Sequence, residues 1–380
     1  MKLIIEPADG VAPLIAAIKR ARSSVEIAVF RLDRKDVEMA LTAAAARGVR
    51  VTALIAFANR GGEKLLRQLE SRFLAAGITV ARTSDDLVRY HGKYILIDRR
   101  ILCVLSFNFT HLDIDHSRGF GVITSQPGCL QEAASLFTAD CTRTRYEPKV
   151  ETFVVSPVNS RRLLGTFLKR AKKQLLIYDP MISDREMLGI LQARAKAGVE
   201  VKVIGRLSGR APFEVQRLAG MRLHTRTIIR DRRQAFVGSQ SLRTLELNSR
   251  REVGLIIRDP KAVKQLIASF ESDWTAAGTK SVPPPPEPVK APAEEPAGAS
   301  PSETAKAVAA FTEELQPLAA TVREAVRQAV AQAGEDVLHD KDVKDTMKKV
   351  AKQAMKEAVK DAVQDAVHDA QDALPPKGVT

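Results

Sequence analysis

The sequence predicts an α/β protein built from two copies of one layered unit, followed by a proline-rich linker and a helical tail. Three observations predict it. Residues Lys19–Val51 and Lys169–Val201 match without a gap at an offset of 150 residues. Each matched segment reads as strand, helix, strand, and a repeat of this kind fixes the architecture. Past residue 280 the composition turns abruptly to proline, alanine and glutamate.

The first segment opens on a basic helix end and continues into the apolar strand VEIAVF. An acidic turn and an alanine-rich helix follow, closed by Gly48 where a helix C-cap belongs. The second repeats this order with QLLIYD, a helix, and Gly198. The strands after the glycines, VRVTALI and VEVKVIG, are β-branched and nearly continuously apolar. Such strands suit a parallel sheet covered on both faces, with the helix as crossover. The lobes are expected at 1–146 and 147–279.

Residues 280–304, including SVPPPPEP, read as a semi-rigid linker. Residues 305–375 are expected to form an amphipathic helical tail. Val308, Phe311, Leu315, Leu318, Val322 and Val326 recur at steps of three and four, with a kink expected at Pro317. The later tetrads EAVK, DAVQ and DAVH carry a weaker, spiralling stripe. This tail is expected to self-associate, and its lysines to touch anionic lipid at most weakly.

The net charge of +14 is unevenly spread. Residues 280–380 hold 13 Lys+Arg against 17 Asp+Glu, so residues 1–279 carry +18. A charge of that size attracts polyanions: nucleic acid, anionic headgroups or phosphorylated substrates. Three cysteines without a CxxC argue against a disulfide framework or structural zinc and fit a reducing, cytoplasmic setting. No apolar run is long enough for a signal peptide core or a membrane span, so a soluble or peripheral protein is expected.

One polar pattern interrupts the apolar strands in both copies. HGKYILID spans His91–Asp98, and HTRTIIRD spans His224–Asp231. A serine follows each histidine after fifteen residues: Ser106, then Asn108, in the first copy, and Ser239, then Ser241, in the second. Residues two apart on a strand share a side, so His91 projects with Lys93, and His224 with Arg226. If the copies pack about a pseudo-twofold axis, both faces meet at one cleft. Two imidazoles, two cations, hydroxyls and an amide then form a phosphate-binding box. Two histidines facing one phosphorus suggest covalent catalysis, one attacking in line and the other serving as acid and base. No metal or other cofactor is expected, because Lys93 and Arg226 supply the charge.

HGKYILID…SFNFT and HTRTIIRD…GSQS resemble the paired HKD motifs of the phospholipase D superfamily, over roughly residues 1–279. The resemblance implies two pseudo-symmetric α/β sandwich lobes with the motifs at their interface. It implies His91 and His224 as nucleophile and acid/base, with Lys93, Arg226, Ser106, Asn108 and Ser241 holding phosphate beside Ser239. It makes Asp98 and Asp231 structural. It also implies an acidic residue, placed past each Ser/Asn, that orients the opposite imidazole. Glu252 fills that place after the second motif, but Gly119 stands there after the first. His91, with Glu252 behind it, is therefore expected as nucleophile. His224 lacks a partner unless Asp113 or Asp115 substitutes. Two further departures are Arg226 in place of lysine and Leu105 in place of a glycine, expected to crowd the turn before Ser106.

The function expected is a metal-independent phosphodiesterase that hydrolyses or transfers phospholipid headgroups. An endonuclease, or a phosphate- or lipid-binding scaffold with a decayed second motif, stays open. Aromatic residues are 5% of the chain, which disfavours single-strand nucleic acid, where stacking is usual. SFNFT points toward the nucleases, and GSQSLR with RREVG toward the lipid-handling branches.

Overall fold

A computed structural model describes residues 1–57 and 63–279. The expected linker (280–304) and tail (305–375) lie outside these residues.

Two mixed sheets carry the same strand order. In the first lobe it runs Lys2–Glu6, Ser117–Thr124, Ile101–Leu105, Tyr94–Ile97, Ser24–Val29, Arg50–Ile55, Thr79–Arg82. In the second it runs Phe153–Val155, Val253–Ile257, Gln234–Gly238, Arg226–Arg230, Gln174–Ile182, Glu200–Leu207, Glu214–Gln216. The expected βαβ units are present: Ser24–Val29 pairs parallel to Arg50–Ile55, and Gln174–Ile182 to Glu200–Leu207. Their crossover helices, Lys35–Ala46 and Arg185–Lys196, end before Gly48 and Gly198, whose φ of 83° and 85° is the left-handed conformation glycine adopts without strain.

Alternate residues of each strand go to different cores, as a period of two requires. Leu96, Leu102 and Val104 join Leu176, Ile229 and Val237 in a shared cluster between the lobes. Ile95, Ile97 and Cys103 pack instead with the first lobe's helices through Leu14, Ile18 and Leu41. Ile177, Ile228 and Phe236 do the same in the second lobe with Leu164, Leu168 and Leu191. The apolar strands are thus buried on both faces. Among the described residues no helix is long and apolar enough to cross a membrane.

Two short ladders stitch the lobes together, and they place the polar motifs. Arg89–Tyr90 runs parallel to Arg250–Arg251, with Arg89 opposite Arg250 and Tyr90 opposite Arg251. In the mirrored place, Arg222–Leu223 runs parallel to strand Ser117–Thr124, with Arg222 opposite Ser117 and Leu223 opposite Arg118. One step further along each ladder brings His91 beside Glu252, and His224 beside Gly119.

Candidate active site

Both histidines are anchored to the opposite lobe through their own backbone. His91 N–H donates to the Arg251 carbonyl at 2.7 Å, and His224 N–H to that of Arg118 at 3.2 Å. The side chains follow the strand period. Lys93 Nζ donates to the His91 carbonyl at 2.7 Å, and Arg226 Nη1 to the His224 carbonyl at 2.8 Å. The two motifs therefore repeat each other in contacts as well as spacing. All four residues are buried.

His91 Nδ1 lies 3.0 and 2.9 Å from the two carboxylate oxygens of fully buried Glu252. The Phe30 ring meets the imidazole edge-on at 4.5 Å between centroids. Burial, then the charges of Lys93, Arg226, Arg250 and Arg89, pushes the His91 imidazole well below its usual range. Arg226 belongs to the second motif, so its field at His91 joins the two motifs in one electrostatic site. Burial also pushes the Glu252 carboxyl up to about 8, although Lys93 pulls it down. Nδ1 and the carboxylate therefore share a proton across the 2.9 Å contact.

His224 is held differently. Gly119 stands where Glu252 stands in the other ladder, and a Cβ there would come within 2.8 Å of Phe107 Cδ1. Buried Phe107 occupies the room a carboxylate would need. Asp113 reaches in instead, with Oδ2 3.5 Å from His224 Nδ1. Its carboxylate also accepts from Asn108 N and Nδ2, each at 2.7 Å, and from Arg222 at 2.7 Å. Asp115 faces elsewhere, bonded to Arg34 at 2.5 Å and His111 at 3.0 Å. Of the two substitutes open in the sequence, the structure brings Asp113 to the imidazole.

Asp113 has a counterpart in the second copy. Glu246 accepts from Ser241 N at 2.5 Å, five residues on, as Asp113 accepts from Asn108 N. Ser241 Oγ donates to Asp179 at 2.7 Å and lies 3.4 Å from Arg226 Nε. Asn108 Oδ1 is buried with no hydrogen-bond partner among the described residues. Ser106 and Ser239 are tied to backbone: Ser106 Oγ accepts from Phe120 N at 2.9 Å, and Ser239 Oγ from Val253 N at 3.2 Å. Each hydroxyl thus braces the strand residue that follows Gly119 or Glu252.

Asp98 and Asp231 lie at hairpin turns beyond the strands. Both have positive φ, 52° and 51°, as does the arginine after each, within hairpin connections that join Ile97 to Ile101 and Arg230 to Gln234. Asp98 accepts from the backbone N–H of Arg22, Ser23 and Ser24, and Asp231 from those of Lys172, Lys173 and Gln174. They lock the start of the neighbouring antiparallel strand. Leu105, expected to crowd its turn, does not do so. It pairs opposite Gly121, where a Cβ would meet Leu105 Cδ2 at 2.8 Å, so the missing side chain there makes its room.

Arg89, Arg250 and Arg222 are the members that sequence reasoning missed. Arg89 and Arg250 lie two positions before His91 and Glu252 and so share their side of the ladder. The signal was present: R-x-H-x-K at Arg89–Lys93 and R-x-H-x-R at Arg222–Arg226 extend the repeated motif by one cation. Among the described residues no group of three or more His, Cys, Asp or Glu is placed to hold a metal ion.

A family model described as "Cardiolipin synthase, PLD-like domain" matches residues 14–141 and 164–274. Of the solved structures, the polyphosphate kinase of Porphyromonas gingivalis is similar with a TM-score of 0.61 and 20% identity, over 72% of this chain and 50% of that one. This chain thus spans half of that protein's length. The phosphatidylserine synthase of Haemophilus influenzae Rd KW20 is similar with a TM-score of 0.54 and 11% identity, over 72% of this chain and 85% of that one. Both likenesses are of fold. No curated protein matches the sequence.

Proposed function

The chain belongs to the cardiolipin synthase, PLD-like domain family, and from that premise we propose that it is a phosphoryl-transfer enzyme, a phosphodiesterase that hydrolyses or exchanges phospholipid headgroups through a phosphohistidine. The observation that carries this reading is the buried pairing of His91 Nδ1 with Glu252 across the lobes. That pairing turns Nε2, the opposite ring nitrogen, toward substrate and stabilises the imidazolium that forms on attack.

In the first step His91 Nε2 bonds to phosphorus as the bond to the leaving alcohol breaks. His224 supplies the proton that the departing oxygen needs. In the second step His224 removes a proton from water or an acceptor alcohol. That oxygen bonds to phosphorus, and the phosphorus–nitrogen bond breaks. Lys93 and Arg226 offset the charge on the non-bridging oxygens, with Arg89 and Arg250 reinforcing the field. Ser241 Oγ, 3.4 Å from Arg226 Nε, and Asn108 add polar groups for the phosphate oxygens. The lobes are taken as 1–146 and 147–279, consistent with the two family matches.

A lipid substrate is favoured by the matched family's description, which names a lipid synthase, and by the low aromatic content. A nuclease is the second reading, supported by the +18 charge of residues 1–279 and by SFNFT. The test offers labelled phosphatidylglycerol vesicles and plasmid DNA in parallel to the pure full-length chain, in excess EDTA. Headgroup release with intact DNA is expected. DNA cleavage alone would replace lipid by nucleic acid, and loss of all turnover in EDTA would overturn the metal-independent mechanism.

A further inference from the structure

Four arginines gather at the far end of the strand that carries Arg226. Arg230 lies four residues along that strand, about 13 Å away at the usual rise per residue. With Arg162, Arg170 and Arg258 it lines a cleft of about 80 Å³ floored by Phe167 and Ile256. The first copy has Ile97 at the place of Arg230, buried in the helix-packed core. The second copy has therefore put a guanidinium where its twin has a core aliphatic.

The charge in this cleft is poorly neutralised. Arg162 pairs with Glu151 at 2.8 Å. Arg170 and Arg258 are exposed, and no acidic partner engages either among the described residues. Arg230 stacks on Phe167 at 4.3 Å from the ring centroid, donates to the Phe167 carbonyl at 2.8 Å, and reaches Gln234 Oε1. Burial depresses the Arg230 guanidinium against the pull of Asp231, and the cations of Arg170 and Arg258 depress it further. A helix C-terminus accounts for one contact, since Phe167 lies in the last turn of Ser160–Lys169. It does not account for three more arginines converging on the same space.

We propose that this cleft is a second anion site that takes a single phosphate group, outside the histidine site. The cleft of about 80 Å³ gives room for a tetrahedral oxyanion. Planar guanidinium forks match phosphate oxygens two at a time, which a lysine cluster would not do. The Arg230 fork is already set by Phe167 and Gln234, so little conformational entropy is lost on binding. Inorganic phosphate and the monoester headgroup of phosphatidic acid share this chemistry.

Calorimetric titration of the full chain with inorganic phosphate at low ionic strength tests the site. Wild type is expected to bind at two places, and Lys93→Ala to keep the one in this cleft. The double reversal Arg170→Glu/Arg258→Glu changes exposed side chains and is expected to fold normally. It should weaken the cleft's binding by about tenfold or more, since charged hydrogen bonds are lost and repulsion is added. Arg230→Ile, which restores the residue of the first copy, should do the same. The proposal is overturned if wild type and the double reversal bind phosphate with equal stoichiometry and affinity, or if wild type binds none. Vesicles separate the sources. Recruitment to phosphatidic acid but not to phosphatidylcholine, lost in the double reversal, assigns the headgroup; phosphate binding without recruitment assigns the free ion.

Discussion

Nδ1 of His91 lies 3.0 and 2.9 Å from the two oxygens of Glu252, a residue 161 positions away in the other lobe. The contact fixes which ring nitrogen faces substrate. Glu252→Gln keeps the shape but replaces the carboxyl that shares the Nδ1 proton, and should lower kcat by about 10²- to 10⁴-fold. His91→Ala should abolish turnover. Rapid quenching with phosphorus-labelled substrate should find label on the protein in His224→Ala and none in His91→Ala. Label in His91→Ala would reverse the two roles.

The other imidazole depends on Asp113, which also holds Asn108 and Arg222. Asp113→Asn should lower kcat. Restoring a carboxylate at Gly119 alone should fail, because Phe107 fills the space. Gly119→Asp is expected to destabilise the fold by about 1–3 kcal/mol in urea unfolding through overpacking. Gly119→Asp with Phe107→Ala should recover part of that loss. Equal stability of the single variant and wild type would contradict the packing described.

Lys93 is wholly buried, and burial pushes its ammonium down to about 7, although Glu252 pulls it up. The unfolded chain holds this proton to about pH 10.4, and the folded chain releases it near 7. Between those values the unfolded state binds more protons, so this lysine's contribution to stability improves as pH rises. Activity follows the opposite course, because phosphate needs the charge. The alkaline limb of kcat/KM should begin near pH 7, and Lys93→Arg should move it upward. Lys93→Met should be inactive at every pH.

Asp98 presents the opposite case. Partial burial raises its carboxyl, but three backbone N–H groups and the Ser23 hydroxyl outweigh that and hold it down at about 2. Its stabilisation is complete above the usual carboxylate range near 4 and is lost as pH falls through about 2. Asp98→Ala should cost about 1–3 kcal/mol at neutral pH. It should leave the pH profile of turnover unchanged, because the residue sits at the turn and not among the site groups.

The repeat made much of this fold legible before any coordinates. A gapless match of strand, helix and strand, with Gly48 and Gly198 closing the helices, leaves few arrangements that bury both faces. The His91–Glu252 pairing was legible through resemblance to a known pattern. The role of Asp113 was not, because its approach to His224 depends on a helix of five residues and on a ladder between lobes, neither of which has a sequence period. Ser106 and Ser239 show a similar gap: their spacing does not reveal that each hydroxyl also accepts from a backbone N–H, of Phe120 and of Val253. Arg89 and Arg250 were readable by counting in twos, but Arg250 stands in a run of charge where alternation is hard to see.

The crossed ladders bear on how such a protein can change over time. Each imidazole takes its carboxylate from across the seam, so neither half encoded alone would possess a working centre. Two separate identical halves could associate, but every mutation would then appear twice. Joined in a single chain, the halves are released from that symmetry. Gly119 can lose what Glu252 keeps, and an arginine can replace a lysine on one side only, so inheritance can specialise the two sides independently.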